Sequence, residues 1–426
     1  MRHENQKTNI VISGAGILTT HGQGLPAFTR ALRAGSQLFK AVHDFPMLDF
    51  PVIAARLNQF DFEKGLAYFS HLPAELIQKF RAIGRRSPLT IQTSLLTALE
   101  AWDQAQLFHR ELNPEKIGLI VAGQNTTQGY QYQLQNAFKS EPAYLPPTYA
   151  LHFMDTDQVG TLSEAFNIQG EGFTVGGASA SGNVGIIQAC RLIEQQLVDV
   201  CMVVGTLADL SPMELQGFHN MGALGGKYLQ PEQACRPFDS EHEGFIWGQA
   251  SGCLILESTS HAKKSHINSL SHISGTAMNL DANRLAMPNA LGEIKAMQQA
   301  LYKANLAISD LHYINTHGSS SPLGDQTEVS ALKEVLKDQI STVWLNSTKS
   351  ITGHCLWSAG IVEAIATVVQ LQEQMVHPNL NLDNPIDKDC RFAGGQSVNA
   401  TINTALNNSF GFGGINTSIV LTRKEN

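Results

Sequence analysis

The chain has 426 residues, 43% of them hydrophobic, so it can bury a large core in two or three structural units or in one large two-part fold. Its formal net charge of −8 argues against a nucleic-acid-binding protein, because such proteins present a basic face. The longest apolar runs, at 200–204 and 251–256, are too short to span a bilayer, and residues 1–7 lack the apolar core of a secretion signal. Six cysteines without CxxC spacing predict buried free thiols, with no metal site, in a reducing cytoplasm.

Buried strands alternate with apolar helices in the first half of the predicted structure. β-Branched residues at 9–17 predict a strand, and its glycines, Gly14 and Gly16, match only part of a dinucleotide-binding fingerprint. The polar, aromatic stretch 126–153 predicts a cap or an interface. The other predicted elements are strands at 116–122, 198–204 and 252–257, helices at 25–34 and 87–105, a short helix beginning at 162–166, loop with short helices at 40–80 and a non-periodic loop at 211–245.

A polar patch at 258–271 predicts the boundary between two units of the chain. The N-terminal unit is then residues 1–258 and the C-terminal unit residues 259–426. The elements predicted beyond the boundary are strands at 272–277, 311–315, 342–346 and 415–421 and a helix at 292–304.

The two units repeat one local pattern. In each, a turn of small residues leads into an apolar helix, at 182–197 after Ser179 and at 358–371 after His354. This weak internal duplication predicts a layered α/β fold with two related halves.

Three turns carry side chains that are able to do chemistry. Small residues at 174–182 surround Ser179 at a helix N-terminus, where the backbone can approach a ligand, although a structural glycine-rich loop has the same pattern. His317 ends a strand within a loop of hydroxyl side chains, and Lys349 and His354 share the next small-residue turn. One strand-end histidine is more often structural, but two in such surroundings favour a catalytic site.

Five motifs, spread over nearly the whole chain, resemble those of the β-ketoacyl synthases of the thiolase fold. They occur in the family's order, which makes chance agreement untenable. The resemblance implies a thiolase-like fold whose two related halves form α-β-α-β-α layers, and it implies a homodimer. The motifs are VISGAGI, RPFDSEHEGFIWGQASGCLILE, NTHGSSSPLGDQTE, STKSITGHCLWSAGIVEA and NSFGFGG.

The resemblance also implies an active site. The family's catalytic cysteine falls on Ser179, and its two histidines fall on His317 and His354. The conserved lysine falls on Lys349, with Glu363 as its ion-pair partner. The remaining implied residues are Ser319 and Ser321, which bind the pantetheine arm, and Phe412, which gates the pocket.

Serine at position 179 is the main departure from the family and decides the predicted reaction. Condensation begins with transfer of an acyl group to a cysteine thiolate, which a helix N-terminus and a nearby cation can generate from a thiol of pKa about 8.5. A helix dipole contributes about 0.3–2 kcal/mol, far too little to ionise an alcohol, so a serine needs a committed general base. We therefore expect Ser179 to accept acyl groups poorly.

Decarboxylation of a malonyl thioester needs no nucleophile, because loss of CO₂ leaves an enolate whose oxygen must be stabilised. Two histidine N–H donors can do this, each worth on the order of 10²–10³ in rate. Lys349 would set the environment or charge of His354, and the Ser179 hydroxyl would bind the malonyl carboxylate or help to protonate the carbanion. Trp357 would fill the space of a long acyl chain, which suits a short malonyl substrate.

Serine in place of cysteine, together with the motif GHCLWSAG, resembles one branch of the family. These are the decarboxylating ketosynthase-like enzymes of bacterial polyketide β-branching cassettes. The resemblance implies conversion of malonyl-acyl carrier protein to acetyl-acyl carrier protein, with no cofactor beyond the carrier's phosphopantetheine. An HMG-CoA-synthase-like enzyme of the same pathway would use the product. The basic residues available for docking the acidic carrier, unless they are only a solvated helix end, are Arg81, Arg85 and Arg86.

Two other functions remain open on the sequence. One is a condensing or acyl-transfer enzyme that uses Ser179 as its nucleophile. The other is a non-catalytic partner similar to a chain-length factor, which would have no need of His317, Lys349 and His354.

Overall fold

A mixed β-sheet of two similar units runs through the protein, which a computed structural model describes for residues 10–228 and 230–424. The predicted first strand began at Asn9, which lies outside these residues. The strands of this sheet and of two small separate sheets, β3-β4-β8 and β13-β14, are β1 Ile10–Thr19, β2 Gly22–Gln23, β3 Lys40–Val42, β4 Val52–Ala55, β5 Ile117–Ala122, β6 Gly172–Val175, β7 Val200–Gly205, β8 Trp247–Gly248, β9 Ser251–Ser258, β10 Ser271–Leu280, β11 Tyr313–Asn315, β12 Trp344–Asn346, β13 Met375–Val376, β14 Val398–Asn399, β15 Thr404–Gly411 and β16 Ile415–Thr422.

The α-helices pack on both sides of the sheet units and between them. They are α1 Leu25–Ala34, α2 Phe62–Ala67, α3 Ala74–Gly84, α4 Leu89–Gln104, α5 Gln128–Ser140, α6 Tyr149–His152, α7 Thr156–Phe166, α8 Ser181–Glu194, α9 Pro212–Asn220, α10 Thr259–Lys264, α11 Ala290–Ala304, α12 Pro322–Leu336, α13 Lys349–Thr352 and α14 Ala359–Glu373. Among these described helices, none is long and apolar enough to cross a membrane.

The two halves of the sheet share one topology. The first half has the strand order β6-β5-β7-β9-β1, and the second has β12-β11-β15-β16-β10. Counted within each half, both orders read 3-2-4-5-1, and the parallel and antiparallel pairs fall at the same places. The halves join through the antiparallel pair of β1 and β10. The predicted duplication of the fold is therefore confirmed.

Three large apolar clusters hold five layers of structure together. Helix α4 packs on the outer face of the first half-sheet, and α11 and α12 pack on the outer face of the second. Helices α8 and α14 fill the space between the two half-sheets and contact both. The predicted α-β-α-β-α layering is thus the observed one.

Glycines in the first strand of each half allow an outer helix to approach closely. A Cβ on Gly14 would lie 2.1 Å from the carbonyl oxygen of Ala101 in α4, and a Cβ on Gly275 would lie 2.3 Å from that of Ala300 in α11. Both strands shift register next to these glycines. Helix packing, rather than a dinucleotide, therefore explains the glycines of the first strand.

Some elements were missed because their local pattern misleads. The sequence predicts no strand directly before the turn at Ser179, but β6 lies there, at the edge of the sheet. Near the end of the chain the sequence predicts only the strand at 415–421. Residues 404–411, which include the start of the NSFGFGG motif, form a further strand, β15. Its central residues, Asn407, Asn408 and Ser409, are fully buried polar side chains, and each makes a hydrogen bond. Other missed elements include β3 and β4 within 40–80, α5 within 126–153, α9 within 211–245, α10 within 258–271, and α12.

We predict that the contact between α8 and α14 tolerates no side chain larger than glycine. A Cβ on Gly182 would lie 2.5 Å from the backbone nitrogen of Ile361, and a Cβ on Gly360 would lie 2.6 Å from that of Asn183. Gly182→Ala and Gly360→Ala should each lower the free energy of unfolding by about 1–3 kcal/mol, the usual cost of overpacking. Gly217→Ala is the control, since a Cβ there meets nothing within 4 Å. Equal urea midpoints for the three variants would contradict the prediction.

Candidate active site

A cavity of about 800 Å³ is lined by residues from both halves of the chain. It holds three of the four predicted catalytic side chains, Ser179, His317 and His354, in its wall. The fourth, Lys349, lies behind the wall with 1% of its surface exposed. The predicted binding residues that also line the cavity are Ser319, Ser321, Trp357 and Phe412.

Ser179 lies in the single 3₁₀ turn Ala178–Ala180 that precedes α8. Ala178 has a left-handed backbone with φ of 48°, which makes the turn sharp. The Ser409 hydroxyl of β15 donates a hydrogen bond of 3.0 Å to the Ser179 carbonyl oxygen. The turn is thus tied to the second half of the fold, and the serine is held between the two halves.

The ring of His354 is oriented by the backbone that follows it. The Leu356 N–H donates to Nδ1 of His354 at 3.2 Å, so Nδ1 is an acceptor. A neutral imidazole carries one N–H, which must then be on Nε2. Nε2 lies 2.9 Å from the Ser179 Oγ, so His354 donates to the serine and does not accept its proton.

His317 lies beside His354, with ring centroids 5.5 Å apart and planes at 81°. The Lys349 Nζ donates to the His317 carbonyl oxygen at 2.6 Å and lies 3.5 Å from its Nδ1. An ammonium group beside Nδ1 makes this nitrogen an acceptor too, which leaves the proton on Nε2. The two imidazoles therefore both offer an Nε2–H.

A buried ion pair lies next to the two histidines, behind the cavity wall. Lys349 pairs with Glu363 of α14, as the resemblance implied, and each residue is 1% exposed. Burial lowers the pKa of His317 and of His354 well below the usual value of 6.5, and the Lys349 charge lowers it further. Both rings are therefore neutral N–H donors at pH 7.

Glu328 was missed by the sequence analysis, although it ends the quoted motif around His317. Its carboxylate accepts the backbone N–H groups of His317 and Gly318 at 2.8 and 2.7 Å. These bonds fix the loop that carries the histidine at the start of α12. Burial nevertheless raises the pKa of Glu328 to about 7.

The predicted binding residues differ in their surroundings. Ser319 and Ser321 lie side by side, with their Oγ atoms 2.8 Å apart. Trp357 is 7% exposed and follows His354 by three residues, whereas Phe412 is 40% exposed, in the turn between β15 and β16. The structure thus places a buried indole and an exposed phenyl ring in the same cavity wall.

Cys355 is not a substitute for the missing thiol. Its side chain is 1% exposed, and burial raises the pKa of the thiol to about 12. The other five cysteines are also free and buried, so that prediction is confirmed.

Comparison with known proteins agrees with the motifs and the geometry. Family models described as the N-terminal and C-terminal domains of beta-ketoacyl synthase match residues 7–262 and 270–383. The chain belongs to the β-ketoacyl synthase family. As a ketosynthase-family enzyme it places serine, rather than cysteine, at the N-terminus of α8.

Two curated relatives cover almost the whole of this ketosynthase-family chain. The polyketide biosynthesis malonyl-ACP decarboxylase PksF of Bacillus subtilis (strain 168) is 35% identical over 98% of this chain and 97% of its own. The 3-oxoacyl-[acyl-carrier-protein] synthase 2 of Coxiella burnetii is 30% identical over 98% of this chain and 99% of its own.

The fold is that of solved ketosynthases. A structure of a type II acyl carrier protein in complex with its ketosynthase bound to the hexaketide superposes with a TM-score of 0.82. That match covers 98% of this chain and 100% of the other at 24% identity. The expected thiolase-like architecture is therefore confirmed.

We predict that neither His317 nor His354 titrates near the usual histidine value. Resonances of ¹⁵N-labelled imidazoles should show neutral Nε2–H rings between pH 6 and pH 8, because burial and the Lys349 charge both oppose protonation. Lys349→Met should raise the pKa of both rings, since it removes the cation. Arg33→Met, which breaks the exposed pair with Glu373, is the control and should leave the two rings unchanged. A wild-type ring that titrates near about pH 6.5 would refute the assignment.

Proposed function

We propose that the protein decarboxylates malonyl-acyl carrier protein to acetyl-acyl carrier protein. The observation that carries the proposal is the contact between Ser179 and a histidine that already holds its proton on the facing nitrogen. A serine so placed lacks a general base, whereas the two imidazoles retain the donors that an enolate needs. The malonyl-ACP decarboxylase named among the relatives supports this reading.

The proposed reaction breaks the bond between C2 of the malonyl group and its carboxylate. The electron pair passes into the thioester as an enolate, and CO₂ leaves. The Nε2–H groups of His317 and His354 stabilise the negative oxygen, and because the surrounding structure orients both donors in advance, little reorganisation is needed. Lys349 keeps the rings neutral and correctly oriented, and Glu363 balances its charge.

Condensation is disfavoured at the same site. An alcohol attacks a thioester only when a base takes its proton, and His354 presents N–H to the Ser179 oxygen. The position of Ser179 before α8 adds a helix dipole worth about 0.3–2 kcal/mol, which does not replace a base. The Ser179 hydroxyl is therefore left with its own proton free to point at the substrate.

The proposed substrate is a short acyl group at the end of a phosphopantetheine arm. Ser319 and Ser321 supply two hydroxyls in the cavity wall for the amides of that arm. Trp357 occupies volume beside His354 that a growing chain would need, and the exposed Phe412 stands at the turn that would open and close the cavity. No other cofactor takes part in the proposed reaction.

The proposed partner is an acyl carrier protein, as in the ketosynthase complex that this fold matches. Arg85 and Arg86 are exposed at the end of α3, while Arg81 in the same helix pairs with Glu63 at 2.7 Å. Arg85 and Arg86 are therefore better placed than Arg81 to bind an acidic carrier protein. We place the reaction in polyketide β-branching in the cytoplasm, where a homodimer of this chain would supply acetyl groups to an HMG-CoA-synthase-like enzyme.

The proposal predicts a graded loss of activity among three variants. With malonyl-loaded carrier protein as substrate and the product weighed by mass spectrometry, His317→Ala and His354→Ala should each lower the rate on the order of 10²–10³-fold, because each removes one preorganised donor. Ser179→Ala should lower the rate less, since the serine is not a nucleophile in this reaction. His109→Ala, which changes an exposed histidine, is the control.

Each alternative function gives a different product in that assay. A lasting acyl adduct on Ser179, or an extended ketide, would identify a transferase or a condensing enzyme. Unchanged malonyl carrier with the wild-type protein would identify a non-catalytic partner. Either result would overturn the proposed decarboxylation.

A further inference from the structure

Decarboxylation leaves one chemical requirement that the two histidines do not meet, if the proposed function holds. The enolate must gain a proton on C2 to become an acetyl group. His317 and His354 hold the enolate oxygen with their only N–H groups, so the proton must come from another acid. The described residues that line the cavity carry two carboxyl groups, those of Asp281 and Glu293.

Glu293 is a buried carboxyl group whose Oε2 lacks a hydrogen-bond partner within residues 10–228 and 230–424. It lies in the first turn of α11 and is 1% exposed, yet it contributes to the wall of the cavity that holds Ser179 and both histidines. Among the described residues none makes a hydrogen bond to its Oε2. A buried polar atom without a partner is costly in free energy, and such groups often have a catalytic or binding role. The unpaired carboxyl group in the cavity wall therefore points to a ligand that supplies the missing contact.

Burial and the neighbouring carboxyl groups both favour the acid form of Glu293. Asp281 faces it from the loop before α11 and Glu328 faces it from α12, and both neighbours are carboxyl groups. Burial raises the pKa of Glu293 well above the usual value, and these two neighbours raise it further. Arg284 and the two imidazoles are the other ionisable groups that line the cavity with Asp281. Asp281 is a poorer donor than Glu293, because its Oδ1 accepts hydrogen bonds from Asn416 and Asn289.

We propose that Glu293 is the acid that protonates the enolate carbon. Its O–H bond breaks, the proton joins C2 of the enolate, and the electron pair stays on Glu293 as a carboxylate. The acetyl thioester then leaves, and the carboxylate, placed between Asp281 and Glu328, takes a proton from solvent through the cavity. One solvent proton is consumed for each CO₂ released, so the overall reaction balances.

Ser179 is a weaker candidate for the same step. Its hydroxyl is also in the wall, but an alcohol loses its proton far less readily than a carboxylic acid. Acid catalysis is most efficient when the pKa of the donor lies near the working pH, which a raised carboxyl approaches and an alcohol does not. The serine therefore fits a hydrogen-bonding role and the glutamic acid fits the transfer.

Glu293→Gln tests the proposal, because it keeps the size and a hydrogen-bond donor but removes the transferable proton. Acetyl-carrier formation should fall on the order of 10²-fold or more, the usual contribution of a general acid, with KM little changed. Because the enolate then lives longer, incorporation of ¹³CO₂ into the remaining malonyl carrier should rise for each acetyl group formed. Glu293→Asp should restore part of the rate. Lys295→Gln, on the exposed side of the same helix, is the control.

The pH profile gives a second readout that a structural role would not change. A donor must be protonated, so the wild-type rate should be full below the raised pKa of Glu293 and should fall as the pH rises through it. Glu293→Gln should lack that fall. If Glu293→Gln keeps a rate within threefold of the wild type, the same pH profile and the same ¹³CO₂ incorporation, Glu293 is not the proton donor. That result would leave the proposed function standing. A wild-type protein that forms no acetyl carrier would overturn the proposed function and this step together.

Discussion

The hydrogen bond from the Leu356 N–H to Nδ1 of His354 decides what the active site can do. It holds the proton of the ring on Nε2, and that atom faces the Ser179 hydroxyl at 2.9 Å. Such a donor would stabilise a thiolate in the place of Ser179, whereas an alcohol in that position needs a base to take its proton. In the proposed reaction, this backbone contact makes the histidine a stabiliser of negative oxygen and leaves the serine without the general base that acyl transfer would require.

This contact depends on how the duplicated halves meet. Ser179 precedes α8 and His354 precedes α14, so each half contributes one turn at the N-terminus of a central helix. The helices touch through Gly182 and Gly360, where neither can carry a Cβ without moving backbone atoms. Because α8 and α14 are so close at this point, the turns that carry Ser179 and His354 lie within hydrogen-bonding distance. The packing of the central layer and the chemistry of the cavity therefore have the same cause.

Electrostatics in the site follow from charges that water cannot reach. Lys349 and Glu363 are fully buried. An isolated charge there would be prohibitively costly in free energy, so the charge of each residue is stabilised by the charge of the other. Burial and the nearby cation lower the pKa of the imidazoles, while burial raises the pKa of the carboxyl groups of Glu328 and Glu293. The cavity accordingly combines neutral donors with a neutral acid, an arrangement suited to an enolate.

The sequence by itself determined the family, the duplication, most buried strands and the residues that fill the candidate catalytic positions, because these depend on apolar periodicity and on short motifs. It predicted α1 as residues 25–34, as observed, but it missed β15, because its buried Asn and Ser side chains look like loop until their partners are known. Only the tertiary structure decided the tautomer of His354, and only it shows that Oε2 of Glu293, 114 positions from Ser179 along the chain, has no hydrogen-bond partner in the described part of the chain. Proton positions and desolvation are set by atoms that come together across the fold, and no local pattern of residues records them.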